Sequence, residues 1–295
     1  MKHFFFSLPI GMRYMVLSAF GFSLMAVFVK FASIEGIPVL EIVAARALVS
    51  LILSYADIRY KRISVFGQRK GLLFLRGFIG SLALVCVYYA ITQLPLAEAT
   101  VLQYLYPIFT AVLALFFLKE HIHWYLIVSI MLSFLGVLFV VRPAFLFGES
   151  AQDLSYLAVL AGILGAIGSS AAYVLVRKLS QTEDSSVIIF YFPLIALPFS
   201  LALLGTDFVV PNGFACILLV LVGIFTQLGQ VGLTKALQTE AAGRATAFSY
   251  LQVVFASLFG WWFFQEIPDA WFAAGAVLIL LGVLVNLGAK QKSKE

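Results

Sequence analysis

Ten long apolar stretches follow one another along the chain, separated by short connections that carry most of the charged residues. A helix needs about 20 apolar residues to cross the hydrocarbon core of a bilayer, whereas barrel strands alternate apolar and polar residues over about ten positions. The stretches are continuous, so the pattern predicts an all-α integral membrane protein with ten transmembrane helices. We call these helices span 1 to span 10, and in order they cover residues 14–32, 38–56, 71–91, 97–118, 124–141, 156–177, 186–204, 214–236, 245–264 and 270–288.

The composition agrees with this fold class. Apolar residues make up 63% of the chain and charged residues 11%, against about a quarter charged in soluble domains. The formal net charge of +5 does not indicate a nucleic-acid partner, because the basic residues lie between apolar stretches. The predicted partner is the lipid bilayer, and the predicted location is the bacterial inner (plasma) membrane.

The distribution of Lys and Arg predicts the orientation of the chain. With the N-terminus in the cytoplasm, 15 of the 19 basic residues lie on the cytoplasmic side, and only Lys30 and Arg142 lie outside. The other two, Arg46 and Arg76, fall within spans. Because cytoplasmic loops are enriched in Lys and Arg, both ends of the chain are predicted to be cytoplasmic.

The second half of the chain repeats the first at a nearly constant offset. A shift of 146 residues pairs Tyr104 with Tyr250 and Glu120 with Glu266, and a shift of 147 aligns span 1 with span 6. The chain is therefore predicted to hold two five-span repeats, residues 1–145 and 146–295. Five is odd, so the second repeat crosses the membrane in the opposite direction. Inverted repeats are common in secondary transporters, which bind substrate near the bilayer midplane between the repeats.

Several short motifs carry a resemblance to a known family. They are LPLAEAT at 94–100, FLKE at 117–120, ATAFSY at 245–250 and FQEIPD at 264–269. With these motifs the chain resembles the ten-helix drug/metabolite transporter superfamily, EamA type. Arg46 and the sequence LRG at 75–77 resemble a branch that includes S-adenosylmethionine carriers and solute-carrier-35-like proteins. The resemblance implies a central cavity lined mainly by spans 1, 3, 4, 6, 8 and 9.

Ionisable residues inside spans are the first candidates for function, because each costs about 2.5–3.5 kcal/mol at a helix centre on insertion scales. Arg46 either binds an anion in a cavity or pairs with a backbone carbonyl or a neighbouring span. Arg76 either has a functional role in the transport pathway or extends its side chain to the cytoplasmic interface. Glu41, Arg76 and Lys235 are the candidates for ion coupling or gating.

Polar side chains within the spans are the second group of candidates. Gln227, Gln230 and Thr234 recur at spacings of three and four, so they share a face of span 8. Such a face either lines a wet cavity or hydrogen-bonds to a neighbouring helix. The repeat-related Tyr104 and Tyr250 are predicted to be symmetric gate or clamp residues. The candidate substrate-binding residues are Arg46, Tyr89, Gln103, Tyr104, Tyr173, Gln227, Gln230, Ser249, Tyr250 and Gln252.

The remaining features limit the function class. No span contains the acid–base, nucleophile or metal cluster that an enzyme needs, so we predict no enzymatic activity, no cofactor and no metal site. The glycines at 162, 165 and 168 indicate close helix packing. The predicted function is a secondary or exchange carrier of a small polar metabolite, of the amino-acid or organic-acid type, working by alternating access. An S-adenosylmethionine carrier is the alternative, and a channel or a non-transporting scaffold are alternatives of another class.

Overall fold

A computed structural model describes residues 9–94, 96–147, 155–265 and 269–292, and nearly all of them are helical. Spans 1 to 3 are the helices Ile10–Ile34, Val39–Tyr60 and Lys70–Gln93. Span 4 consists of two helices, Leu96–Gln103 and Tyr106–Leu118, and span 5 is Trp124–Val141, followed by one turn, Ala144–Phe147. Spans 6 to 8 are Tyr156–Leu179, Ser185–Leu204 and Gly213–Thr239. Span 9 joins Ala242–Ala247, a 3-10 turn at Phe248–Tyr250 and Leu251–Phe264, and span 10 is Ala270–Lys292.

The prediction of ten spans is confirmed, since ten helical segments among the described residues are long and apolar enough to cross a membrane. Several helices are longer than predicted. Span 1 begins at Ile10 rather than at residue 14, and span 2 continues to Tyr60 rather than ending at 56. These extra turns carry Arg13, Asp57 and Arg59, because long polar side chains at a helix end can reach the aqueous interface while the backbone stays helical.

Packing between the spans follows the predicted repeat. Span 1 packs against span 8, and the equivalent pair, span 6 with span 3, also packs extensively. Spans 2 and 7, spans 4 and 9, and spans 5 and 10 each pack against their own equivalent. Exchanging the two repeats leaves this set of neighbours unchanged, as an arrangement related by a two-fold axis requires.

Side-chain contacts group the connections into two faces of the bundle. Lys61, after span 2, lies 3.0 Å from Asp184, between spans 6 and 7, and we call this side the inner face. Arg142, after span 5, lies 2.7 Å from Asp269, before span 10, on the opposite side, which we call the outer face. Span 1 therefore begins at the inner face and span 6 ends there. The two helices run in opposite directions, which agrees with the predicted inversion.

The ion pair of Lys61 and Asp184 connects the end of span 2 to the start of span 7 at the inner face. Burial alone would lower the pKa of Lys61, but hydrogen bonds to Asp57 and Asp184 outweigh it and raise that pKa above its ordinary value. Burial alone would raise the pKa of Asp184, but hydrogen bonds from the Ser186 N–H and from Lys61 outweigh it and lower that pKa. Both groups therefore stay charged near neutral pH and hold span 2 against span 7.

Glycines bring several spans into backbone contact. A Cβ atom at Gly165 would lie 2.7 Å from Val87 Cγ2, and one at Gly168 would lie 2.9 Å from Ala83 Cβ, so span 6 lies close against span 3. The predicted close packing of this glycine series is confirmed. In spans 5 and 10, a Cβ atom at Gly136 would lie 2.6 Å from the Gly275 carbonyl oxygen. These contacts keep the paired spans close along much of their length.

Candidate functional site

A central cavity of about 200 Å³ lies between the two repeats. Side chains from spans 1, 3, 4, 6, 8 and 9 line it, as the resemblance implied, and Arg46 of span 2 and Phe192 of span 7 complete the wall. All of these spans are long apolar helices, so the polar groups that face the cavity stand out from their surroundings. Eight predicted residues line this cavity, namely Arg46, Arg76, Gln103, Tyr104, Tyr173, Gln230, Ser249 and Gln252.

Arg76 projects from span 3 into the cavity with only 3% of its surface exposed. Its guanidinium carbon lies 4.7 Å from the centre of the Phe192 ring, within the range of a cation–π contact. The Nε and Nη1 atoms are buried without a hydrogen-bond partner among the described residues. The Arg76 side chain therefore lies at the cavity rather than at the cytoplasmic interface.

Arg46 faces the same cavity from span 2. Its Nη1 atom lies 3.8 Å from the sulfur of Met25, which is a weak acceptor. Within the described residues Arg46 makes no ion pair, and no Asp or Glu side chain lines the cavity. Two cations without a counter-ion give the cavity a positive potential, and the low dielectric around it increases the attraction for an anion.

Three tyrosine rings, those of Tyr104, Tyr106 and Tyr173, line one wall of the site, and the Tyr250 ring stacks behind Tyr104. The Tyr250 and Tyr104 ring centres lie 5.9 Å apart, those of Tyr104 and Tyr106 lie 6.3 Å apart, and those of Tyr106 and Tyr173 lie 5.3 Å apart. Tyr106 and Phe192 were not predicted as site residues. Residues two apart point to different sides of a continuous helix, but span 4 is interrupted between its two helices, so Tyr104 and Tyr106 both face the cavity. Pro107 signals this interruption, because it has no N–H to continue the helical ladder.

The second repeat contributes neutral polar groups. Gln230 is 8% exposed, and its Oε1 atom has no partner among the described residues. The Ser249 hydroxyl donates to the Thr246 carbonyl at 2.5 Å, which leaves its oxygen able to accept. The side chains of Gln103, from span 4, and Gln252 complete a set of donors and acceptors around the two arginines.

The family model of the EamA-like transporters matches residues 9–142 and 156–288. This chain belongs to the EamA-like transporter family. The predicted membership of the drug/metabolite transporter superfamily is thereby confirmed. The protein is a multi-pass integral membrane transporter of small molecules.

Named relatives span most of this EamA-like transporter. The pseudopaline exporter CntI of Pseudomonas aeruginosa is 36% identical over 279 residues, which cover 93% of this chain and 94% of the relative. Solute carrier family 35 member G1 of Mus musculus is 32% identical over 283 residues, covering 92% of this chain and 76% of the relative. The S-adenosylmethionine uptake transporter of Rickettsia felis is 27% identical over 219 residues, covering 74% and 72%. These names point to transport rather than catalysis.

A solved structure has the same fold. It superposes with a TM-score of 0.79 and covers 95% of this chain and 99% of its own, at 17% sequence identity. This likeness supports the ten-span architecture of the EamA-like transporter.

Gln227 and Gln230 were predicted to share a face, but they have different neighbours. The Ser50 hydroxyl donates to Gln227 Oε1 at 2.5 Å, and Gln227 Nε2 donates to the Ser54 hydroxyl at 3.0 Å. Gln227 therefore ties span 8 to span 2, the second of the two roles predicted for this polar face. Gln230, one turn further along, lines the central cavity.

Four other predicted residues lie outside the central cavity. Tyr89 lines a separate apolar cleft of about 260 Å³ between spans 2, 3 and 7. Glu41 is buried near the outer face, where its Oε2 atom accepts from the Val209 N–H at 3.0 Å. The Lys235 ammonium lies 5.3 Å from the centre of the Tyr14 ring. Tyr250 is fully buried behind Tyr104.

The central cavity is closed toward the inner face. Met12 of span 1 and Phe248 of span 9 are almost fully buried there. Closer to the surface, Arg177 donates from Nε to Glu120 at 3.1 Å and from Nη1 to carbonyl groups at the end of span 8. Toward the outer face, by contrast, the cavity side chain Gln103 is exposed. The EamA-like transporter is therefore in an inner-closed state.

Proposed function

We propose that this transporter carries a small metabolite with a carboxylate group, of the amino-acid or organic-acid type, by alternating access. The observation that supports this most directly is the buried guanidinium of Arg76, two of whose nitrogens have no hydrogen-bond partner among the described residues, in a cavity that it shares with Arg46. A guanidinium forms strong, often bidentate hydrogen bonds with a carboxylate. Nothing else among the residues lining the described cavity would neutralise these two charges.

The size and polarity of the cavity support the same substrate class. A volume of about 200 Å³ suits a compact metabolite. Gln230, Ser249 and Gln252 offer neutral donors and acceptors for the remainder of the substrate, and the tyrosine wall offers apolar contact surface. A carboxylate between the two arginines would offset the cost of keeping them inside the membrane.

Counterflow in proteoliposomes tests this proposal and does not depend on the direction of transport in the cell. Vesicles are loaded with an unlabelled pool of amino acids, organic acids or S-adenosylmethionine, and the uptake of a trace labelled substrate is followed. A carrier concentrates the label transiently, because unlabelled substrate inside the vesicle occupies the site on its return to the outside and so keeps the label from leaving. A channel gives only passive equilibration, and a scaffold gives no uptake.

Two substitutions test whether substrate exchange depends on the arginines of the central cavity. Arg46→Gln and Arg76→Gln should each abolish exchange of a carboxylate-bearing substrate. Arg59→Gln is the matched control, because Arg59 lies on the same span as Arg46 but is exposed at its end, and it should exchange at the wild-type rate. Undiminished exchange in Arg76→Gln would refute the proposed role of the guanidinium.

S-adenosylmethionine is a second candidate, favoured by the relative named as its uptake transporter. It carries a carboxylate for the arginines, and its sulfonium could lie against a tyrosine face as a cation–π contact. Counterflow of S-adenosylmethionine that smaller amino acids do not inhibit would favour this candidate over the first.

A further inference from the structure

Tyr104 and Tyr250 occupy equivalent positions in the two repeats, and each lies where its span is not a regular α-helix. Tyr104 falls in the interruption between the helices Leu96–Gln103 and Tyr106–Leu118. Tyr250 ends the 3-10 turn Phe248–Tyr250 of span 9. The equivalence found in the sequence therefore extends to the local backbone.

These two equivalent residues also touch each other. Their rings are stacked with centres 5.9 Å apart and planes inclined by 26°. When two units are related by a two-fold axis, a residue can contact its own equivalent only near that axis. The axis that relates the repeats therefore passes between Tyr104 and Tyr250, beside the central cavity.

The hydrogen bond between the two tyrosines runs in one direction only. The Tyr250 hydroxyl donates to the Tyr104 carbonyl at 3.1 Å, and both residues are buried. The local backbone leaves this carbonyl accessible, because the Ile108 N–H donates to Leu105 instead. The Tyr104 ring lines the cavity, and its hydroxyl makes no hydrogen bond to another described residue. The pair is thus symmetric in position and asymmetric in bonding.

This asymmetry has a direct consequence for alternating access, in which the two repeats exchange conformations. Exchange turns the bond from Tyr250 to Tyr104 into a bond from the Tyr104 hydroxyl to the Tyr250 carbonyl. That carbonyl can accept it, since a backbone oxygen has two lone pairs. Each hydroxyl would then serve one state of the transporter.

We propose that Tyr104 and Tyr250 are positioning residues that form a reciprocating hydrogen bond. The Tyr250 hydroxyl stabilises the inner-closed state described here, and the Tyr104 hydroxyl stabilises the outer-closed state. This inference rests on the proposed function only in requiring that the transporter alternates between two states, and it does not depend on the identity of the substrate.

Phenylalanine substitutions test the proposal, because they remove one hydroxyl and keep the ring. Tyr250→Phe should shift the protein toward the outer-closed state, and Tyr104→Phe should shift it toward the inner-closed state. Each change should alter the ratio of the two states about fivefold, as expected for the loss of one buried hydrogen bond. The double variant should return the ratio close to the wild-type value.

The state is measured by maleimide labelling of the purified full-length protein without substrate, after Cys86→Ala and Cys216→Ala. Single reporters are Met12→Cys, almost fully buried near the inner face, and Met25→Cys, which lines the cavity on the same span. They lie about 20 Å apart along span 1 at 1.5 Å per residue. Tyr250→Phe should speed labelling at position 12 and slow it at 25, and Tyr104→Phe should do the reverse.

Tyr173→Phe is the control, since it removes a hydroxyl from the same wall at a position whose repeat equivalent, Ala26, has none. It should leave both labelling rates unchanged.

Equal shifts in the same direction for the two test variants, or no shift in either, would overturn the proposal. If Tyr250→Phe does not fold, Tyr104→Phe alone decides, because it must slow labelling at position 12. If the two variants shift labelling in opposite directions but no carboxylate-bearing substrate shows counterflow, the proposed substrate class is contradicted. The reciprocating hydrogen bond is then still supported.

Discussion

Replacing Arg76 with methionine should stabilise the fold while removing substrate recognition. On insertion scales a cation costs about 2.5–3.5 kcal/mol at the centre of a span, which is the upper limit for Arg76, one to two turns inside span 3. The contact with the Phe192 ring offsets about 2 kcal/mol of this cost where the cation is desolvated. Two buried guanidinium nitrogens have no partner in the described structure that would offset the rest. An unbranched apolar side chain fills the same space without charge, so Arg76→Met should raise the free energy of unfolding by at most about 0.5–1.5 kcal/mol.

Thermal unfolding of the detergent-purified protein, followed by tryptophan fluorescence, measures this gain. For a chain of this size the midpoint should rise by roughly 2–4 °C per kcal/mol. Arg59→Met is the control, because Arg59 is exposed and surface substitutions usually change stability by no more than about 0.5 kcal/mol. Counterflow of a carboxylate substrate should be lost in Arg76→Met and retained in Arg59→Met.

The opposite thermal result would refute this reasoning. A fall of several degrees in Arg76→Met would mean that the contact of the guanidinium with Phe192 stabilises the fold by more than the burial of the cation costs. A rise in midpoint with unchanged counterflow would keep the stability argument and reject the role in recognition. The two measurements therefore separate the structural role of Arg76 from the functional one.

Three further outcomes follow from individual contacts. Glu120→Gln should weaken its charged hydrogen bond to Arg177 by about 2 kcal/mol and raise maleimide labelling at the inner face. Gly136→Val should destabilise the protein by about 1–3 kcal/mol through overpacking, measured by thermal unfolding. The stabilisation from Asp184, whose pKa is lowered, should be present above the ordinary pKa of about 3.9 and disappear as the pH falls through the lowered value. Asp184→Asn should remove this contribution to the acid dependence of stability. The stabilisation from Lys61, whose pKa is raised, should be lost only at strongly alkaline pH.

The spans could be predicted from sequence because each depends on a local property, about twenty consecutive apolar residues. The direction of a single side chain depends on its neighbours. Arg76 lies one to two turns inside span 3, where a long side chain could equally extend toward water or turn inward. Its burial follows from the position of Phe192 on span 7, which is more than a hundred residues away in the sequence. No local pattern contains that information.

The same dependence on neighbouring helices explains why Gln227 and Gln230, which were predicted to share a polar face of span 8, have different roles. Gln227 and Gln230 are three residues apart and adjacent on the helix surface, so periodicity predicts a common environment. Span 2 lies against only part of that face, and its two serines satisfy Gln227. Tyr106 shows the converse case, since a break in span 4 brought into the cavity a residue that regular periodicity would place elsewhere.

Repeat symmetry does not extend to the charges of the central cavity. At an offset of 147 residues, Arg46 corresponds to Pro193 and Arg76 to Gly223, and at 146 the equivalent residues are also uncharged. Of the two possible equivalents of Arg76, Gly223 has Val49 of span 2 too close for a side chain, and Val222 is fully buried. Both cations therefore belong to the first repeat, while Gln230, Ser249 and Gln252 come from the second. The divergence of side chains therefore gives the site a fixed polarity. Under the proposed alternating-access mechanism, a carboxylate should stay with the first repeat in both states.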